Sequence, residues 1–296
     1  MGLPWLGHPS WAVVAELSEA TGRDLGHLLV DADAEELRAT RNAQLATFTL
    51  SRVVLDAVTK AVLAGTGAGA LTATAGHSLG EYSALVAAGV LQGGPGARLV
   101  QARGEAMQAA AEANPGTMAA VLGLDLEEVA TACQVTDQAW VANDNTPVQI
   151  VIAGTELGTK QAGAAAMEGG AKRVVPLQVG GAFHSPLMRP AQGRLDDALA
   201  GAVMSEATCP VVANVDAQPH RSGFASLLSA QLCSPVRWRE SLLGLAGLGA
   251  RLFVELGPGT ELSGMVRRTL PDAARANVAA PEDLAGLGST LSSLLS

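Results

Sequence analysis

The sequence has few aromatic and few charged residues: aromatics make up 3% of its 296 residues and charged side chains 16%. Alanine, glycine, valine and leucine dominate instead. A disordered chain has the opposite balance, with high charge and low hydrophobicity, so we expect a compact globular protein. The formal net charge of −9 argues against a general nucleic-acid-binding surface and is typical of ordinary solubility.

Cysteine and histidine are too few and too scattered for a disulfide framework or a metal site. Cys133, Cys209 and Cys233 are odd in number, widely spaced and form no C-x-x-C pair. The five histidines show no metal-ligand spacing. We therefore expect a reducing, cytoplasmic location and no bound metal.

Long apolar runs and targeting signals are also missing. No stretch has 18 uninterrupted apolar residues, which a membrane-spanning helix would need. The first 20 residues contain Glu16 and Glu19 and lack a basic start, unlike a secretory signal. Neither a membrane span nor a secretory signal is predicted.

One short motif that is present carries chemistry: Gly76-His77-Ser78-Leu79-Gly80 matches G-x-S-x-G. The β-permissive segment 69–74 precedes it, after a predicted glycine loop, and the alanine- and leucine-rich segment 82–88 follows it. Strand, sharp turn and helix in that order form a nucleophile elbow. The motif therefore predicts that Ser78 is a nucleophile at the head of a helix.

The elbow also predicts the roles of its neighbours. We expect Gly76 and Gly80 to be needed because a Cβ atom at either would crowd the sharp turn. The N–H of Leu79 is the natural first donor to an oxyanion, since it lies at a helix N-terminus. The side chain of His77 should point away from Ser78, which favours a structural role for it.

Predicted strands and helices fall into two groups. Residues 116–180 read as β-α-β-β-α-β, the order of a ferredoxin-like small domain. On either side, strands alternate with helices, which predicts a mostly parallel sheet. We therefore predict an α/β fold in which 1–115 and 181–296 form an α/β-hydrolase-like large domain and the small domain is inserted. Residues 93–96 are predicted as a turn.

A serine hydroxyl needs a base to accept its proton near neutral pH. His184 is the best candidate, because it lies in a turn where the chain returns from the small domain to the large one. A satisfied core or surface histidine is the alternative. We expect structural roles for His8 and His27, and for His220 in a loop. No aspartate suggests itself as the third member of a triad.

Seven motifs follow one another along the chain, at residues 76–81, 103–108, 116–120, 145–154, 181–185, 231–238 and 255–259. In this order they resemble malonyl-CoA:acyl carrier protein transacylases and, more broadly, the acyltransferase domains of fatty acid and polyketide synthases. The resemblance covers the chain from about residue 13 to the C-terminal region. It implies an enzyme of fatty acid biosynthesis that carries malonyl from malonyl-CoA to the phosphopantetheine thiol of acyl carrier protein, through a malonyl-serine.

The resemblance also implies roles for single residues. Ser78 would be the nucleophile and His184 the general base. Arg103 would bind the malonyl carboxylate, a task suited to a planar guanidinium fork; a solvated helix face is the alternative for it. Phe183 is the malonyl-type choice before the histidine, since its ring leaves little room for a 2-methyl branch. Gln231 would help to orient the histidine.

Further implications concern the pocket and the partners. Met107 and Met118 would line the pocket or belong to the core, and Gln44 matches a glutamine near the family's site. No bound cofactor is implied, since malonyl-CoA is a substrate, and we expect a monomer. Because carrier proteins are acidic, a local basic surface is needed; the candidates, which could equally be scattered surface cations, are Lys172, Arg173, Arg189, Arg237 and Arg239.

Two departures from the family pattern bear on activity. Family members begin with a strand and a Gly-Gln-Gly-Ser-Gln-type loop that supplies a second oxyanion donor, and the printed sequence has no such segment. We expect either a start inside a longer gene product or a truncated paralogue; losing such a donor costs roughly 10²–10³ in rate. Val148 stands where the family usually has glycine. The alternatives to a malonyl transacylase of fatty acid biosynthesis are a polyketide-pathway acyltransferase, an acyl-hydrolysing editing enzyme and an inactive scaffold.

Overall fold

The computed structural model describes residues 1–65 and 71–295. Most of the predicted glycine loop, and the first two residues of the predicted elbow strand, lie outside them. The helices of the first part are α1 Ala12–Thr21, α2 Leu25–Val30, α3 Ala34–Arg38, α4 Thr40–Ala61, α5 Gly80–Ala87 and α6 Gly93–Ala113. No helix among the described residues has the length and apolar character needed to cross a membrane.

The remaining elements continue in the predicted alternation. The other helices are α7 Leu126–Cys133, α8 Glu156–Glu168, α9 Arg189–Ala200, α10 Phe224–Gln231, α11 Trp238–Gly247, α12 Glu261–Thr269 and α13 Asp283–Leu295. The strands are β1 Thr74–Ala75, β2 Thr117–Leu122, β3 Ala139–Thr146, β4 Gln149–Gly154, β5 Arg173–Pro176, β6 Val211–Val212, β7 Pro219–His220, β8 Leu252–Leu256 and β9 Ala274–Val278.

The large domain is built on the helix pair α4 and α6. The apolar stripe of α4 is fully buried, as its helical spacing predicts, at Leu45, Phe48, Leu50, Val53 and Val54. The two helices approach closely at Gly104, where a Cβ atom would lie 2.9 Å from the Cα of Arg41. This approach brings Gln44 of α4 and Arg103 of α6 into contact.

Short parallel strands place the elbow. β1 pairs in parallel with β6, and β8 pairs in parallel with β9, which confirms the α/β prediction with parallel strands. Parallel neighbours end at the same edge of a sheet, so the residues after β1 and those after β6 lie together. Ser78 follows β1, and Asn214 follows β6.

The small-domain sheet has the strand order β3-β4-β2-β5, and all its neighbouring strands are antiparallel. This is the ferredoxin-like arrangement that the element order predicted; the domain boundaries at 116 and 180 remain a prediction. One face, with Val121 and Ile152, packs on α7 and α8. The other face, with Ala120 and Val151, packs on Ala182 and so supports the segment that carries His184.

Three local predictions are wrong or incomplete. Residues 93–96 form the first turn of α6 and not a separate turn, because a proline close to a helix start removes an N–H that has no partner there. His220 lies in β7, paired with Val211, and not in a loop. The strand β9 and the helix α13 had no counterpart in the prediction, since their apolar pattern is interrupted by small and polar residues.

A buried carboxylate joins the small domain to the large one. Asp144 of β3, whose side chain is 2% exposed, accepts hydrogen bonds of 3.1 and 3.0 Å from Arg239 of α11. The backbone N–H groups of Asp144 and Val236 also donate across this junction, to Val236 and Ala142 respectively. A carboxylate removed from water in this way depends on the cation that pairs with it.

We expect Arg239→Ala to destabilise the protein by roughly 3 kcal/mol, because it leaves the buried Asp144 carboxylate without its cation. Arg237→Ala is the matched control two residues away. Its partner Glu240 is 35% exposed, so this change should cost less than about 1 kcal/mol. Urea unfolding of both variants measures the difference, and equal losses would contradict the assignment of Asp144 as the dependent group.

Candidate active site

The elbow forms as predicted around Ser78, whose φ of 51° lies in the left-handed region. Such a conformation costs a residue other than glycine about 1–3 kcal/mol and needs support from its surroundings. Gly76 is required, since a Cβ atom there would lie 1.9 Å from the carbonyl carbon of Gly80. The same expectation for Gly80 is wrong, because its own Cβ would meet no atom within 4 Å.

Ser78 and His184, 106 positions apart, meet in the fold: Oγ lies 2.7 Å from Nε2. The other ring nitrogen, Nδ1, lies 2.9 Å from the carbonyl oxygen of Gln231. A carbonyl can only accept, so Nδ1 carries the hydrogen and the lone pair of Nε2 faces the hydroxyl. The histidine is thus oriented by the backbone of Gln231, and not by its side chain.

His184 is 4% exposed. Burial, and next the nearby charge of Arg103, lower the pKa of His184 to about 3. Both effects disfavour the imidazolium, so the ring is neutral at pH 7 and able to accept a proton. The geometry and the charge state together equip His184 to act as a base toward Ser78.

Arg103 lies beside the same hydroxyl although it is only 1% exposed. Its Nη2 donates to Ser78 Oγ and to Gln231 Oε1, both at 3.0 Å, and its Nη1 donates to Gln44 Oε1 at 2.6 Å. The guanidinium also lies over the ring of Tyr82, 5.6 Å from its centroid. Among residues 1–65 and 71–295 no carboxylate forms an ion pair with Arg103.

The buried Glu81 interacts with Arg103 at longer range but forms no ion pair with it, so the guanidinium is suited to bind an anion that enters from outside. A cavity of about 590 Å³ opens beside it. The predicted site residues Ser78, Leu79, Arg103, Met107 and Phe183 line this cavity, together with Gln44 and His77. The Leu79 N–H donates to no acceptor among the described residues, so it is free for an oxyanion.

Met118, the remaining pocket candidate, is not among the described residues that line the cavity. It is 5% exposed and packs with Ala120, Val151 and Ala182 on the inner face of the small-domain sheet. Of the two alternatives for Met118, the structure therefore places it in the core. Phe183, which lines the cavity, packs against the same cluster.

His77 is directed toward the small domain and not toward the base. Its Nε2 lies 2.8 Å from Asn145 Oδ1 and 3.2 Å from Asn143 Nδ2, and its ring meets Trp238 edge-on. Burial lowers the pKa of His77, which keeps the ring neutral. The expected structural role for His77 is consistent with these contacts, which join the elbow to the inserted domain.

Two buried polar residues beneath Ser78 were not singled out by sequence reasoning. Asn214 is fully buried and hydrogen bonds to both sides of the elbow, and Glu81, also fully buried, accepts from the backbone of Asn214. A polar residue directly after a buried parallel strand was the available signal for Asn214. The apolar residues on either side of it favour one continuous strand over residues 211–215, in which Asn214 does not stand out.

A serine on a strand-to-helix elbow, in contact with a neutral histidine and beside a free backbone donor, defines an enzyme that forms a covalent acyl-serine. The comparisons with known proteins give the family. The acyl transferase domain family matches residues 10–287. The chain belongs to this family.

Individual relatives agree with that assignment. The chain is 42% identical over 262 residues to the malonyl CoA-acyl carrier protein transacylase of Bacillus subtilis, covering 86% of this chain and 80% of that protein. For the enzyme of the same name from Escherichia coli, the identity is 41% over 259 residues, with 86% and 82% covered. A malonyl-transacylase solved with a type II polyketide synthase acyl-carrier protein superimposes with a TM-score of 0.90 at 34% identity, covering 97% and 93%.

We expect Gly76→Ala to lower the rate of Ser78 acylation at least about 100-fold, because the new methyl group forces the elbow apart. Gly80→Ala is the matched control in the same motif. Its methyl group meets open space at a helix start, where alanine is preferred over glycine by up to about 1 kcal/mol. Single-turnover acylation by malonyl-CoA measures both, and equal losses would show that the turn is crowded on both sides.

The depressed pKa of His184 predicts the pH dependence of the acylation step. A base with a pKa of about 3 stays unprotonated above that value, so acylation should not decline with a midpoint near 6.5, the ordinary value for histidine. Burial raises the pKa of Glu81 to about 7, so a change in the acylation rate near pH 7 would come from the ionisation of Glu81. Such a change should be absent in Glu81→Gln, which has no carboxyl group to ionise. A decline near 6.5 that persists in Glu81→Gln would contradict the prediction.

Proposed function

We propose that the protein transfers malonyl from malonyl-CoA to the phosphopantetheine thiol of an acyl carrier protein, through a malonyl ester of Ser78. One observation carries this proposal. The Ser78 hydroxyl lies between a neutral base at 2.7 Å and a buried guanidinium at 3.0 Å that has no acidic partner among the described residues. The malonyl-transferring relatives support the same substrate.

Acylation begins when Ser78 passes its proton to Nε2 of His184 and its Oγ bonds to the thioester carbonyl carbon. The negative charge that develops on the carbonyl oxygen is stabilised by the Leu79 N–H. As the tetrahedral intermediate collapses, the carbon–sulfur bond breaks and His184 returns the proton to the departing CoA sulfur. The products are malonyl-Ser78 and free CoA.

Arg103 selects the acyl group in this proposal. The malonyl carboxylate supplies the anion that the guanidinium lacks, and two parallel N–H···O bonds fix its orientation. An acetyl group would leave the buried charge without an anionic partner. Phe183, on the cavity wall, restricts the space for a branch at the 2-position.

The second half-reaction reverses the first with a new thiol. The phosphopantetheine thiol of the carrier protein gives its proton to His184, and its sulfur attacks the ester carbonyl. The Ser78 oxygen leaves and recovers the proton, so enzyme and base return to their starting state. Water must be kept from the ester meanwhile, since its attack would make the enzyme a hydrolase.

Carrier docking requires exposed cations that are free to pair with an acidic protein. Two of the five basic candidates are already paired, Arg237 with Glu240 and Arg239 with Asp144. The other candidates are exposed, namely Lys172, Arg173 and Arg189. These three cations are therefore proposed as the basic surface for an acidic carrier protein.

Isotopically labelled malonyl-CoA tests the proposal. We expect wild-type protein to acquire one malonyl group on Ser78, located by mass spectrometry, and to pass it to added carrier protein. Carrier proteins of the fatty acid type and of the polyketide type are supplied separately, and the faster malonyl transfer identifies the preferred pathway. Release of malonate to water instead would favour the hydrolase alternative, and absence of any acyl-serine would favour the inactive scaffold.

Arg103→Ala should lower the rate of malonyl-Ser78 formation about 100-fold, the loss expected for hydrogen bonds to a charged group. Acetyl-CoA should be affected less, because its acyl group has no carboxylate to pair. Arg98→Ala, an exposed arginine on the same helix, is the matched control and should leave both rates unchanged. Equal losses for malonyl and acetyl substrates would contradict the role of Arg103 in selection.

A further inference from the structure

Asn214 occupies a position directly beneath the elbow. It follows β6, the parallel neighbour of β1, and its side chain is fully buried. Its Oδ1 accepts from the N–H of Ser78 at 2.6 Å, and its Nδ2 donates to the carbonyl oxygen of Gly76 at 2.7 Å. One amide thus connects the strand side of the turn to the nucleophile itself.

These two bonds need an acceptor and a donor on one short side chain. Asparagine offers both in one plane, whereas aspartate offers only acceptors and serine can span only one of the two positions. Ser78 holds a φ of 51°, which its own backbone preference disfavours, so an external constraint is needed to keep it there. The bond from the Ser78 N–H to Asn214 supplies such a constraint.

We propose that Asn214 is a positioning residue that holds Ser78 in its left-handed conformation, so that Oγ stays aligned with His184. Asn214 also occupies the N–H of Ser78, which leaves the adjacent Leu79 N–H as the free donor of the elbow. This inference rests on the proposed role of Ser78 as the nucleophile. It assigns Asn214 no contact with substrate.

A second buried layer holds Asn214 in turn. Glu81 Oε2 accepts from the backbone N–H of Asn214 at 3.0 Å and from Nε2 of Gln231 at 2.8 Å. The same Nε2 donates to the carbonyl oxygen of Ser78 at 3.1 Å. With its amide nitrogen turned toward Glu81, Gln231 presents its oxygen to Arg103. The support under the nucleophile and the support of the anion site are therefore one connected network.

Asn214→Asp tests the inference, because it keeps the acceptor for Ser78 and replaces the donor with an oxygen that faces the Gly76 carbonyl. We expect kcat for malonyl transfer to fall about 100-fold, the loss typical of a misplaced reacting group. The KM for malonyl-CoA should stay within about threefold, since Asn214 forms no direct hydrogen bond to Arg103 and is not among the described residues that line the cavity. Rates are expressed per folded molecule, from circular dichroism and thermal unfolding.

A second readout separates this inference from the proposed function. Phenylmethanesulfonyl fluoride sulfonylates an aligned serine, with loss of fluoride, and requires neither malonyl nor carrier protein. We expect its rate on Ser78 to fall about as much as kcat in Asn214→Asp. If wild-type protein is sulfonylated but transfers no malonyl, the proposed function fails and the inference can still be judged.

Two further variants complete the test. Asn277→Asp is the matched control, since Asn277 Nδ2 also donates to a glycine carbonyl, that of Gly259 at 2.8 Å, away from the site; it should leave both readouts unchanged. Asn214→Ser is a smaller change and replaces Asn214→Asp in the test if that variant does not fold. Its kcat and its rate of sulfonylation should both fall at least about 10-fold. A folded Asn214 variant with wild-type rates, or losses that only follow the unfolded fraction, would overturn the inference.

Discussion

The structure depends on one electrostatic arrangement, the burial of the Arg103 guanidinium beside the Ser78 hydroxyl. An isolated charge is costly to bury, and here neutral groups offset part of that cost: the side-chain oxygens of Gln44 and Gln231 and the ring of Tyr82. Because no carboxylate among the described residues forms an ion pair with Arg103, the site retains affinity for an external anion. The same charge contributes to keeping the neighbouring imidazole neutral.

The two sheets have different tasks in building this site. The short parallel pair of the large domain brings Ser78 and Asn214 to one edge, while the antiparallel sheet of the small domain supports the segment around His184 through Ala182. The ion pair between the buried Asp144 and the partly exposed Arg239 joins the two domains. A reaction that needs a hydroxyl and an imidazole 2.7 Å apart therefore depends on how the inserted domain packs.

Sequence reasoning was most successful where a feature is local. The β-α-β-β-α-β order of residues 116–180 follows from short-range apolar patterns. It failed where neighbours in space decide: residues 93–96 are helical and Gly80 is uncrowded. Asn214 escaped notice because it meets Ser78, 136 positions away in the chain, only through the parallel pairing of β1 and β6.

The sequence by itself determined which reactive groups the site contains. The elbow motif, the histidine and the arginine can be identified from it because they follow one another in the family's order. It also determined the family, because seven motifs in this order are typical of that family and of no other that we considered. Only the tertiary structure decided that Ser78, His184 and Arg103 share one buried cleft, that the backbone of Gln231 orients the ring, and that Asn214 holds the turn. The physical reason is that these contacts join segments distant in the chain, and only packing brings such segments together.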